Sequence, residues 1–153
     1  MYEDGIIKSK GGVYMYRLAI KKLFRWKEKP NRKPLIIEGA RQVGKTWLMK
    51  EFGEKAYNKT IYINFDSNTT MSDLFSYDLD TNRLITGIEL YSGQKIDPDN
   101  TLLIFDEIQE VPQALSALKY FYENAPEYHV MAAGSLLGIT LGKGQSFPVG
   151  KGN

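Results

Sequence analysis

The stretch LIIEGARQVGKTWLMKEF, from Leu35 to Phe52, limits what this chain can fold into more than any other. A short apolar run stops at a glycine, and a second glycine precedes a lysine, a threonine and a segment of helical period. Gly39, Ala40, Arg41, Gln42, Val43, Gly44, Lys45 and Thr46 fit the pattern G-x-x-x-x-G-K-[ST]. Each fixed position has a physical task. Glycines let the backbone turn tightly and approach an anion with no Cβ in the way. Successive N–H groups then point at phosphate oxygens, and the following helix adds the positive end of its dipole. Lys45 is placed to bridge terminal phosphates, and the Thr46 hydroxyl to ligate Mg²⁺. Arg41 and Gln42 lie inside the loop, with side chains toward solvent or a partner.

The context suits such a loop. Leu35–Glu38 reads as a buried strand and Lys45–Ala56 as a helix with Leu48, Met49, Phe52 and Ala56 inward. Thr60–Phe65, Thr101–Phe105 and Tyr128–Ala133 read as further strands. Helices are expected from Met15 to about Glu28, near Ser72–Tyr77, over Asn82–Ser92, and from Pro112, where proline suits the first helical position. In the first of these, Tyr16, Ala19, Ile20, Leu23 and Phe24 share a face. Strands alternating with helices predict an α/β fold, with a parallel sheet covered on both faces. Residues 1–14 read as a flexible extension, 15–141 as the folded domain and 142–153 as a glycine-rich tail.

A second constellation follows the third strand. In LLIFDEIQ, Asp106 and Glu107 stand just beyond four apolar residues. The C-terminal ends of strands are where ligands sit in an open α/β sheet. Asp106 is expected to hold Mg²⁺ through its water shell, and Glu107 to act as general base on an attacking water. The strand period of two is expected to separate the two acids. Ser135, ending the fourth strand, is placed to sense a terminal phosphate or to cap a turn. His129, the one histidine, reads as a packed strand residue rather than a catalyst, and Trp47 as core or rim. Asn58-Lys59-Thr60 lacks the aspartate of a guanine-specificity motif.

Composition removes other classes. With no cysteine and a single histidine, disulfides, thiolate zinc sites and His-rich metal sites are excluded. The chain is 42% hydrophobic and 25% charged, a globular balance rather than a disordered one. No apolar run approaches the ~20 residues that cross a bilayer, and no signal peptide opens the chain, so a cytoplasmic location is expected. Residues 1–34 hold ten Lys/Arg against three Asp/Glu, and the remainder ten against fifteen. That basic arm is either a solvated helix face or a nucleic-acid contact.

With both motifs placed, the chain resembles a family of prokaryotic, archaeal-type AAA-like ATPases that carry a C-terminal domain of unknown function. The resemblance rests on YRLAIKKLFRWKEKPNRKPLIIEGARQVGKTWLMKEF, IDPDNTLLIFDEIQEVPQALSALKYFYE and YHVMAAGSLLG. It implies a three-layer α/β/α P-loop fold with the strand ending at Ser135 between the phosphate-loop strand and the acidic strand. It implies Mg-ATP as cofactor, with Lys45 and Thr46 on phosphate and Mg²⁺, and Asp106 and Glu107 serving metal binding and hydrolysis. Relatives continue beyond SFPVGK into a fifth strand and helical lid, so a truncated domain lacking both is expected. An arginine finger would then come from a protein partner or another copy. Two further readings stay open: a nucleotide-binding remnant with little hydrolysis, and a nucleic-acid-binding module using the basic helix.

Overall fold

The computed structural model describes residues 13–38 and 44–135, the first three as backbone only. Four strands form one sheet: β1 (Leu35–Glu38), β2 (Lys59–Asn64), β3 (Thr101–Asp106) and β4 (His129–Gly134). Their order is β1-β4-β3-β2 and every pairing is parallel. β4 therefore lies between β1 and β3, as the resemblance implies. Parallel neighbours need crossovers, and α2 (Lys45–Ala56), α3 (Thr69–Tyr77), α4 (Thr81–Ser92) and α5 (Pro112–Asn124) supply them, with α1 (Val13–Glu28) preceding the sheet.

Alternation along the strands builds two cores. Ile36, Ile61, Ile63, Leu103, Phe105, Val130 and Ala132 face one side, in a cluster with Leu84, Ile88, Leu118 and Phe121 from the helices. Leu35, Ile37, Leu102, Ile104, Met131 and Ala133 face the other, against Leu23, Leu48 and Phe52. The result is a three-layer α/β/α domain with a four-stranded parallel sheet. Burial on both faces explains why the strands read as continuous apolar runs. Phe65, Phe75 and Phe105 meet edge-to-face, with centroids 5.4 to 5.8 Å apart.

Element ends depart from expectation where side chains cap or pair them. The helix expected from Ser72 starts at Thr69, because the Asn68 side chain accepts from the Met71 N–H at 3.0 Å. β2 starts at Lys59, which pairs with Thr101, and it ends at Asn64, one residue before Phe65. On α1, Ala19, Leu23 and Trp26 are buried, whereas Phe24 is 37% exposed and touches Phe52 only edge-on. Trp26 goes inward because its indole N–H reaches the Lys33 carbonyl at 2.7 Å. Trp47 is exposed, tilted against Tyr16. Residues 1–12 and 136–153, with most of the expected extension and all of the expected tail, lie outside the described residues. Among the described residues no helix is long and apolar enough to cross a membrane.

His129 is a packed strand residue whose pKa gives the fold a pH dependence. Its Nδ1 lies 2.6 Å from the Tyr57 hydroxyl, and its ring meets Trp26 edge-on. Burial, then the positive charges of Arg32 and Lys27, lower its pKa from 6.5 to about 4. Burial raises that of Tyr57, so the phenol donates to a neutral imidazole. As pH falls below about 6.5 the unfolded chain takes up the proton first, so stability is lost progressively toward pH 4. Because the ring is half-buried, solvent screening reduces the loss between pH 7.5 and 5 to about 1 kcal/mol. Urea denaturation at the two pH values measures it, and His129→Gln is expected to lose less stability on acidification than the wild type.

Candidate functional site

The site grows from the C-terminal ends of the parallel strands. Gly44 caps α2 with φ 80°, a left-handed conformation in which a side chain would be strained. Lys45 is then the first helical residue and is only 4% exposed. Next along α2, the Thr46 hydroxyl donates to Asp106 Oδ2 at 2.5 Å. Gly39, Ala40, Arg41, Gln42 and Val43 lie outside the described residues.

Asp106 ends β3 and is 2% exposed, an expensive place for a carboxylate unless its oxygens are paired. They are. Oδ2 accepts from Thr46 and, at 2.7 Å, from the Tyr62 hydroxyl; Oδ1 accepts from the Glu107 N–H at 2.9 Å. Tyr62 reaches it because β2 and β3 run in parallel, with Asn64 level with Asp106 and Tyr62 two residues below on the same face. Burial, then the hydrogen bond to Asp106 and its charge, push the Tyr62 phenol pKa up. It therefore stays a donor. The Lys50 ammonium lies 4.0 Å from the ring centroid, fixing the ring from its other side.

Glu107 separates from Asp106 by a turn rather than by strand alternation. The strand stops at Asp106, and Glu107 adopts φ 53°, ψ 44° before a 3-10 turn, Ile108–Glu110. Its Oε1 accepts from the Gln109 side-chain amide at 2.9 Å. The oxygen of that amide accepts from the Ser135 N–H at 3.3 Å. Gly134 leaves room for this approach, since a Cβ there would lie 2.3 Å from Gln109 Oε1. Lys45, Thr46, Asp106, Glu107 and Ser135, named from the sequence, thus belong to α2 and to the ends of two adjacent strands.

Tyr62 and Gln109 were not singled out by sequence reasoning. Alternation held a signal for Tyr62: Ile61, Ile63 and Phe65 go into one core, leaving a hydroxyl on the opposite face near the strand's end. For Gln109 the signal was an amide two residues beyond the acid pair. Glu38, ending β1 level with Gly134, is buried as well at 5% exposed. The oxygens of Thr46 and Asp106 are hard donors, the class that suits Mg²⁺, and they lie within hydrogen-bond distance of each other.

Residues 31–153 match the protein family described as AAA domain, and the chain belongs to that family. No curated protein matches the chain.

Proposed function

We propose that this AAA-domain chain binds Mg-ATP at the strand ends and hydrolyses it, the nucleotide state switching a protein partner or another copy of the chain. The convergence of Thr46 and Tyr62 on the buried Asp106, one residue after Lys45 on α2, carries the reading. Residues 39–46 cradle the phosphates through backbone N–H groups, and Lys45 contributes a point charge. Thr46 and Asp106 hold the Mg²⁺ that neutralises charge on the phosphate oxygens. Glu107, turned away from Asp106, accepts a proton from the attacking water. Ser135 lies where the terminal phosphate is read. Residues 15–141 form this ATPase unit.

Of the chain's five arginines, Arg32 and Arg83 are committed elsewhere. Arg32 donates to the Lys27 and Pro126 carbonyls, and Arg83 bonds Asp78 and the Leu74 carbonyl. Another subunit is a natural source for an arginine that stabilises charge on the transferring phosphate, an effect worth ~10³–10⁵ in rate. Turnover is therefore expected to rise with protein concentration if copies of the chain supply it, and otherwise to need the partner.

Titration of the chain with ATP, with and without Mg²⁺, tests the reading, and Trp47 beside Thr46 is an exposed fluorescent reporter. Saturable, Mg²⁺-dependent binding supports it; no binding at millimolar nucleotide overturns it. Tyr62→Phe removes one of the two hydroxyl bonds on Asp106 Oδ2. The expected result is about a 10-fold loss of Mg²⁺ affinity in the ternary complex. Stability should fall by ~1–2 kcal/mol, read by urea denaturation.

A further inference from the structure

Gln109 takes no part in the site as the sequence frames it, yet its side chain joins two of the site's elements. Its amide nitrogen donates to Glu107 Oε1 at 2.9 Å, with a longer approach of 3.4 Å to Glu110 Oε2. Its amide oxygen accepts from the Ser135 N–H at 3.3 Å. An amide carries donor and acceptor on one rigid plane, so movement at one end is felt at the other. Both ends are anchored. Glu107 is held in a left-handed turn between the end of β3 and the buried Ile108. Gly134 is buried at the end of the central strand β4, where a Cβ would press on the Gln109 oxygen.

We infer that Gln109 is a positioning residue that ties the Glu107 carboxylate to the backbone at Ser135, so that whatever occupies the end of β4 sets where that carboxylate sits. The inference rests on the reading of Glu107 as base and Ser135 as phosphate-facing. The Ser135 N–H holds the amide plane by its oxygen, and the amide nitrogen holds Glu107 Oε1, so the carboxylate keeps one orientation toward an attacking water. No covalent step is involved.

Amide NMR on the intact chain, combined with turnover, tests this. In the wild-type background Glu107→Ala is expected to shift the Ser135 N–H resonance, and in a Gln109→Ala background it is expected to leave that resonance in place. Gln109→Glu keeps an acceptor for Ser135 but loses the donor to Glu107, and should also uncouple the two. In turnover, Gln109→Ala is expected to lower kcat about 10- to 100-fold while changing nucleotide Kd less than twofold. An equal Ser135 shift on Glu107→Ala in both backgrounds overturns the inference, whether or not the chain turns over ATP. So does a Gln109→Ala variant whose kcat matches the wild type. Failure of the underlying reading looks different: no nucleotide binding by the wild type, or undiminished turnover by Glu107→Gln.

Discussion

Glu107→Gln is expected to lower ATP turnover by about 10²–10⁴, the usual contribution of a positioned general base, while ATP still binds within about twofold of the wild type. The substitution keeps shape and removes the proton acceptor. Fold disturbance should be small, because Glu107 is only half-buried and its carboxylate oxygen is replaced by an amide that can still meet Gln109. A phosphate-release assay gives the rate, and an ATP titration followed by Trp47 fluorescence gives the affinity. The variant should hold ATP without discharging it, and so should accumulate whatever assembly the triphosphate favours. Unchanged turnover would remove Glu107 from the role of base and leave Asp106 and its surroundings as a binding site alone.

Lys45→Ala is expected to act on the other half of the cycle. Lys45 is 4% exposed at the first position of α2. A charge-assisted hydrogen bond is worth about 1.5–3 kcal/mol, so ATP affinity should fall roughly 10- to 100-fold. AMP, with no terminal phosphates for the lysine to reach, should be affected little. Calorimetric titration with ATP, ADP and AMP reads the gradient across the three. Equal losses for all three would point to a disturbed fold rather than a lost phosphate contact, and a comparison of Tm separates the cases. Lys45→Arg is expected to recover little, because a planar fork does not replace a compact ammonium in a buried slot.

Much of this architecture was legible in the residues. The strands β1, β3 and β4 announced themselves as apolar runs because each is buried on both faces. Lys45 and Thr46 were marked by the glycine spacing of the G-x-x-x-x-G-K-[ST] pattern, and Asp106 by the acidic pair that ends an apolar run. What escaped had no marker in residue type. The left-handed turn at Glu107 is adopted by a glutamate, a residue that gives no hint of positive φ. The separation of the two acids was expected from alternation, which stops one residue too early. Tyr62 lies 44 residues from Asp106, and Gln109 26 residues from Ser135. Such contacts exist only once the register of β2 on β3, and the nesting of β4 beside β3, have been set. The Asn68 cap is local, and its side-chain acceptor starts α3 at Thr69 rather than near Ser72.

The place of β4 in the sheet also bears on how the protein is made. It is the last described strand in the chain, yet it pairs on both sides, with β1 and with β3. As the chain leaves the ribosome, β1 emerges long before the strand that must lie beside it, with α2, β2, α3, α4, β3 and α5 made between them, whereas β3 is separated from that strand by a short 3-10 turn and α5. Each presents an open apolar edge until His129–Gly134 arrives. Parallel pairings of this separation form late and slowly, and exposed edges recruit other chains meanwhile. The protein should therefore depend on chaperones during synthesis more than its size suggests. Its yield in a heterologous host should respond more to slowed growth temperature than to any change at the surface.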